Sequence, residues 1–159
     1  MTPAVSSFVE KLALHMCGEG LPLIAGRVTA YLLISEGPRS LDEIASELGV
    51  SRASVSTDTR RLVEKGLLVR QTLPGDRRTY YAFAPDGFST TLTDKIRSLS
   101  ALCSMLEEAR TLPVATQSAE VRDRLNEWTE FHAAIIEGLE ALLTRLTNRP
   151  AARRRNAVA

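Results

Sequence analysis

Between Ser40 and Phe83 the chain spells out helix, turn, helix and hairpin in so few residues that little freedom of fold remains. Ser40 stands three positions before Glu43, at the head of the run LDEIASELGV. That spacing is a capping box: the hydroxyl accepts from the backbone N–H three residues on, and the carboxylate accepts from the Ser40 amide. Leu41, Ile44, Ala45 and Leu48 recur at helical spacing and give this first helix one apolar face. Gly49 supplies the left-handed residue that ends it, and Val50 can pack beneath the turn. Ser51 caps a second helix at once, and Gly66 terminates it.

Within that second helix, SRASVSTDTRRLVEKG, the residues Val55, Thr59, Leu62 and Val63 fall on the inward side. Arg52, Ser54, Thr57, Asp58 and Arg61 are thereby turned toward solvent or a ligand. Leu67–Leu73 and Thr79–Phe83 are β-like and flank Pro74-Gly75-Asp76, a turn signal. Leu68, one of Tyr80 and Tyr81, and Phe83 are the expected inward residues of the hairpin. Helix, tight turn, helix and basic hairpin make a winged helix-turn-helix, whose second helix can enter the major groove of DNA.

The flanks are helical. Pro3 to Cys17 reads as one helix with Phe8, Val9, Leu12 and Met16 on one side, broken by Gly18, Gly20 and Pro22. Leu23 to Ser35 is apolar almost all round, which suits a helix buried under the winged unit, and Glu36-Gly37-Pro38 ends it. Asp86 caps a helix running to about Arg110, Pro113 sits in the break, and Ser118 to Asn148 forms the last long helix. Both C-terminal helices carry apolar residues at alternating steps of four and three. The first seam is Leu92, Ile96, Leu99, Cys103 and Leu106; the second is Val121, Leu125, Trp128, His132, Ile135, Leu139, Leu142 and Leu146. Such a seam wants a partner helix. An intramolecular hairpin would supply one, but homodimerisation is the more economical reading of helices this long. The seam from Leu125 to Leu146 is therefore the expected dimer interface, with His132 fixing register. The fold expected is mainly α: a winged helix-turn-helix with a β-hairpin wing, plus N- and C-terminal helices forming a dimerisation region. Its divisions are 1–20 (N-terminal dimerisation helix), 21–85 (winged domain), 86–148 (long dimerisation helices) and 149–159 (a disordered basic tail).

Net charge over the 159 residues is only +1, so the chain is not a polycation, but its charge is unevenly spread. Arg52, Arg60, Arg61, Lys65, Arg70, Arg77 and Arg78 lie between Ser51 and Arg78, opposed by Asp58, Glu64 and Asp76. The C-terminal helices lean acidic. A basic surface confined to one module is the footprint of a DNA-binding face. Short side chains in Ser51-Arg52-Ala53-Ser54 let a helix approach bases closely, and Arg60-Arg61 can reach guanine edges or phosphates. Arg77 and Arg78 at the hairpin tip suit a narrow minor groove, with Asp76 placed to orient Arg78. The rival reading is a winged-helix module that binds protein; its weakness is the row of arginines.

Other chemistries find little support. His15 and His132 belong to no nucleophile or metal constellation, and no glycine-rich phosphate loop is present, so neither an enzyme nor a cofactor is expected. Cys17 and Cys103 lack metal-ligand spacing; they read as small buried hydrophobes in a reducing compartment, with redox sensing as the sharper alternative. There is neither a membrane span nor a signal peptide, so a cytoplasmic location is expected.

The runs GRVTAYLLIS, LDEIASELGVSRASVSTDTRRLVEKGLLVR and LPGDRRTYYAF resemble the GbsR branch of the MarR-type transcriptional regulators. The likeness covers about Gly26 to Phe83, and its most specific piece is the second helix, where Ser54, Ser56, Thr57, Thr59 and Arg60 fall as in that branch. Asp58 departs from the pattern, which has a small or apolar residue there. The resemblance implies a homodimer on pseudo-palindromic double-stranded DNA, acting mostly as a repressor and in some members released by a small molecule. The expected DNA-binding set is thus Ser51, Arg52, Ser54, Ser56, Thr57, Arg60, Arg61, Arg77 and Arg78. A choline-type effector would need an aromatic cage. Trp128, Phe131 and Tyr31 are the candidates, though aromatics at helical spacing are more often core.

Overall fold

The structure is a computed structural model and describes residues 1–148; the tail expected over 149–159 lies outside the described residues. The chain forms two compact units, Met1–Gly87 and a second that begins at Phe88.

In the first unit, α1 (Pro3–Gly18) starts at an N-capping Thr2 with Pro3 in its first turn, where a missing N–H costs nothing. It packs along α2 (Leu23–Leu33). Gly26 is what allows the close approach, since a Cβ there would lie 3.0 Å from both Cα and O of Ala13. Val9 and Ala13 form the inward line of α1, whereas Phe8 is exposed, contrary to the sequence expectation. The reason is the angle of approach: contact through Ala13 and Gly26 turns the inward line one residue past Phe8. Helix α2 buries seven residues from Ala25 to Leu32, as its all-round apolar surface requires.

A two-residue strand, β1 (Arg39–Ser40), leads into α3 (Leu41–Leu48), and α4 (Arg52–Glu64) follows after a left-handed Gly49 at φ 63°. The capping box forms in full: Ser40 N–H donates to Glu43 Oε2 at 2.7 Å, and Glu43 N–H donates to Ser40 Oγ at 3.3 Å. Strands β2 (Leu68–Thr72) and β3 (Thr79–Phe83) make the hairpin, and β1 adds to it antiparallel in the order β1-β3-β2. Arg39 pairs with Tyr81 and Ser40 with Tyr80. The core of this unit draws one or more side chains from each helix and from the sheet. Val9, Val28, Ile44, Val55, Leu62 and Leu68 are all but inaccessible. Each such side chain contributes about 1.5–3 kcal/mol by leaving water.

The second unit contains most of α5 (Gly87–Ala109), then α6 (Pro113–Gln117) and α7 (Ala119–Thr147). The short α6, where the sequence reading placed only a break, has Pro113 in its first turn and packs on α7 through this connection. Ser118 caps α7, accepting from Val121 N–H. No residue of α7 is buried. Leu125, His132, Ile135, Leu139 and Leu146 are half-buried, and Trp128, Phe131 and Leu142 are exposed. No helix among the described residues is long and apolar enough to cross a membrane.

Candidate nucleic-acid interface

Ser51 sets the start of α4. Its hydroxyl accepts from Ser54 N–H at 3.1 Å and lies 2.8 Å from the Ser54 hydroxyl. The inward row of the helix is Val55, Asp58, Thr59 and Leu62, all buried. Thr59 satisfies its hydroxyl inside by donating to Val55 O at 2.8 Å. Opposite that row stand Ala53, Thr57 and Arg60, exposed, with Ser54 and Ser56 half-buried beside them. Thr57 donates its hydroxyl back to Ala53 O at 3.1 Å, which keeps the side chain close to the helix. Arg52 pairs with Asp42 at 2.9 Å between two largely exposed side chains. Arg60 has no ion-pair partner among the described residues. The outer face of α4 is therefore hydroxyl-bearing and basic.

The hairpin tip is held by a dense set of hydrogen bonds. Pro74 and Gly75 (φ 80°) occupy the middle of a turn that Asp76 N–H closes onto Leu73 O at 3.1 Å. Asp76 then gathers the tip. Its Oδ1 accepts from Arg78 N–H at 2.8 Å, and its Oδ2 accepts from Arg78 Nε at 2.9 Å, Arg78 Nη2 at 2.7 Å and Tyr80 Oη at 2.7 Å. The guanidinium of Arg78 also lies over the Tyr80 ring, 5.2 Å from its centroid, and its Nη1 is 3.9 Å from Glu43 Oε1. Arg77 is exposed and has no ion-pair partner among the described residues.

These contacts set the local electrostatics. The Arg78 side chain holds the Asp76 carboxyl far below the usual aspartate range, with the Arg78 N–H and the Tyr80 hydroxyl adding to the effect. The same pairing raises Arg78, and hydrogen bonding to Asp76 raises the Tyr80 phenol, so both stay protonated. Glu43 is lowered first by the Ser40 N–H, with Arg78 a smaller contributor. The wing is thus a fixed ionic cluster joined to the capping box of α3, with Arg77 projecting from it uncommitted.

Residues 19–79 match the MarR family. They run from the C-cap of α1 through α2, α3 and α4 to the first residue of β3. The fold carries a MarR-type winged helix-turn-helix. Similarity to other proteins extends beyond that segment. A crystal structure described as a transcriptional regulator superposes with a TM-score of 0.76 at 26% identity, covering 92% of this chain and all of that one. The HTH-type transcriptional regulator MmpR5 of Mycobacterium tuberculosis is 33% identical over 101 residues, which are 63% of this chain and 61% of that protein. The match thus spans about three fifths of the mycobacterial regulator. YvaV of Bacillus subtilis, described as a putative HTH-type transcriptional regulator, is 24% identical over 144 residues, 81% of each chain.

The MarR-type module brings Ser51, Arg52, Ser54, Ser56, Thr57, Arg60 and Arg61 together along α4, and Arg77 with Arg78 at the hairpin tip. One residue is placed differently from the sequence reading. Asp58, expected to face outward, is 7% exposed, because its helical position falls between Val55 and Leu62 on the core side. Arg61 follows it inward and is half-buried, donating from Nη1 to Asp58 Oδ1 at 3.2 Å. An acid three residues before an arginine was the available signal. Tyr80 and Tyr81 are both buried, although strand alternation allowed only one to point at the core. Tyr81 joins the core and Tyr80 is covered by the Asp76–Arg78 cluster.

Elsewhere, Cys17, in the last turn of α1, is exposed rather than buried, and Cys103 is half-buried; both are free thiols. Tyr31 belongs to the core of the first unit. On α7, His132 lies between Trp128 and Phe131, with ring centroids 5.6 Å and 5.2 Å away. His132 Nδ1 is 2.7 Å from Trp128 O, and a carbonyl only accepts, so Nδ1 carries the proton. An open groove of about 400 Å³ on the first unit is lined by Tyr31, Arg39, Asp42, Glu43, Ser46 and Glu47. Among the described residues, no cluster of His, Cys, Asp and Glu is arranged to hold a metal ion.

Proposed function

We propose that this chain is a homodimeric transcriptional regulator of the GbsR branch, a cytoplasmic repressor that reads pseudo-palindromic double-stranded DNA. Helix α4 enters the major groove, with Ser51, Arg52, Ser54, Ser56, Thr57, Arg60 and Arg61 on or beside the bases. The wing brings Arg77 and Arg78 to the adjacent minor groove. The observation that carries this reading is the pairing of a hydroxyl-bearing, basic face on α4 with an arginine-tipped wing in the same unit, Arg78 lying 3.9 Å from Glu43 of α3. Sequence alone supports the branch, through Ser54, Ser56, Thr57, Thr59 and Arg60. The dimer reading rests on α7: its seam residues Leu125, Trp128, His132, Ile135, Leu139, Leu142 and Leu146 recur at coiled-coil spacing, and none is buried in the single chain. Two copies double the contacts and fix the half-site spacing.

Gel shifts of the chain against its own upstream DNA at low and at physiological salt test the proposal. A retarded band that weakens steeply with salt is expected. Absence of salt-sensitive binding to any promoter fragment would sink it.

A further inference from the structure

Asp58 is a carboxylate in the inward row of the basic helix, between Val55 and Leu62, neither of which is accessible. The single hydrogen bond it accepts among the described residues comes from Arg61, whose side chain is 43% exposed against 10% for Asp58. A buried carboxylate deprived of its counter-charge is strongly unfavourable. Arg61 is therefore not free to swing after a phosphate, as Arg60 and Arg77 are. A guanidinium carries five donors in one rigid plane, and Asp58 engages only Nη1. The remaining donors are left toward solvent in a direction set by the protein.

A phosphate can also take a guanidinium fork, but every nucleotide offers the same one, so an aligned donor pair gains no discrimination there. A guanine edge presents O6 and N7 in one plane and rewards a guanidinium already aligned. The pair is also electrically neutral, which lowers sequence-independent attraction to DNA. Resting on the DNA-binding reading above, we infer that Asp58 is a specificity-determining positioning residue: it holds Arg61 as an oriented reader of one guanine in each half-site.

The test uses the full chain and two duplexes of equal length, one selected by the wild type from a random pool and one scrambled. Fluorescence anisotropy gives the ratio of their affinities. Asp58→Asn, nearly isosteric, should lower that ratio by about tenfold or more, raise affinity for the scrambled duplex, and make one guanine position degenerate on reselection. Arg61→Lys keeps the charge but lacks the planar fork, so it should lose the same discrimination while keeping scrambled-duplex affinity. Both variants retaining the wild-type ratio and guanine preference, with only a lower thermal midpoint, would show Asp58 to be structural and overturn the inference alone. A wild type that binds neither duplex overturns it together with the DNA-binding reading.

Discussion

Truncating Arg77 to alanine isolates one contact with DNA from everything else the wing does. The side chain is exposed and makes no ion pair among the described residues, so its loss leaves the Asp76–Arg78–Tyr80 cluster standing. If Arg77 meets a phosphate flanking the minor groove, each copy releases one bound counterion fewer, a change of about 0.9 in the slope of log affinity against log salt. A dimer loses two such contacts, so the slope should become shallower by about 1.8. Over a fourfold rise in salt, from about 50 to about 200 mM, that amounts to a difference of about 12-fold in how far binding falls. The assay is an anisotropy titration of a labelled upstream fragment at several salt concentrations, with a melting curve of the free protein as control. The expected melting curve is unchanged. A slope change near 0.9 would mean that only one wing touches DNA. An unaltered slope would refute the placement of Arg77 against the backbone.

Aspartate at both Leu139 and Leu142 should give a monomer by light scattering with weakened operator binding; a persistent dimer would remove α7 from the interface. Ser40→Ala breaks the capping box of α3, in which the hydroxyl serves the Glu43 N–H, and should cost about 1 kcal/mol by urea denaturation. No change in the denaturation midpoint would show that box to be dispensable. Because Asp76 has its folded value depressed by Arg78, its contribution to wing order is complete above the ordinary aspartate range and is lost only as pH falls below it. Asp76→Asn should therefore speed hydrogen exchange at the Arg78 amide near neutral pH, where the wild type is protected; equal protection in both would show the cluster to be incidental.

Much of the module was legible because its signals are local. The capping box at Ser40, the left-handed Gly49, the Ser51 cap and the Pro74-Gly75 turn each act within a few residues, so the sequence names them directly. What escaped depended on neighbours distant in the chain. Strand β1 is two residues long and exists only because β3 offers it a partner. Helix α6 is a single turn or so, too short for periodicity, though Pro113 in its first turn was a usable cue. Taking Val55, Thr59, Leu62 and Val63 as the inward set turns Asp58 outward, whereas the buried row includes Asp58 in place of Val63. Alternation, which admits one of Tyr80 and Tyr81, is blind to a salt-bridge cluster covering Tyr80. The candidate site was readable as a set of residues. The division of its arginines into paired (Arg52, Arg61, Arg78) and unpaired among the described residues (Arg60, Arg77) was not.

Ser40 belongs at once to β1, to the box that begins α3 and, through its register with Tyr80, to the strand that carries the wing. The reading helix, packed on α3 and β2, and the hairpin tip thus share one anchor, like the jaws of a caliper on one beam. A duplex gripped by such a tool must itself supply any adjustment of groove spacing. Base steps lying between the two points of contact, touched by no side chain, should then weigh on affinity through their stiffness.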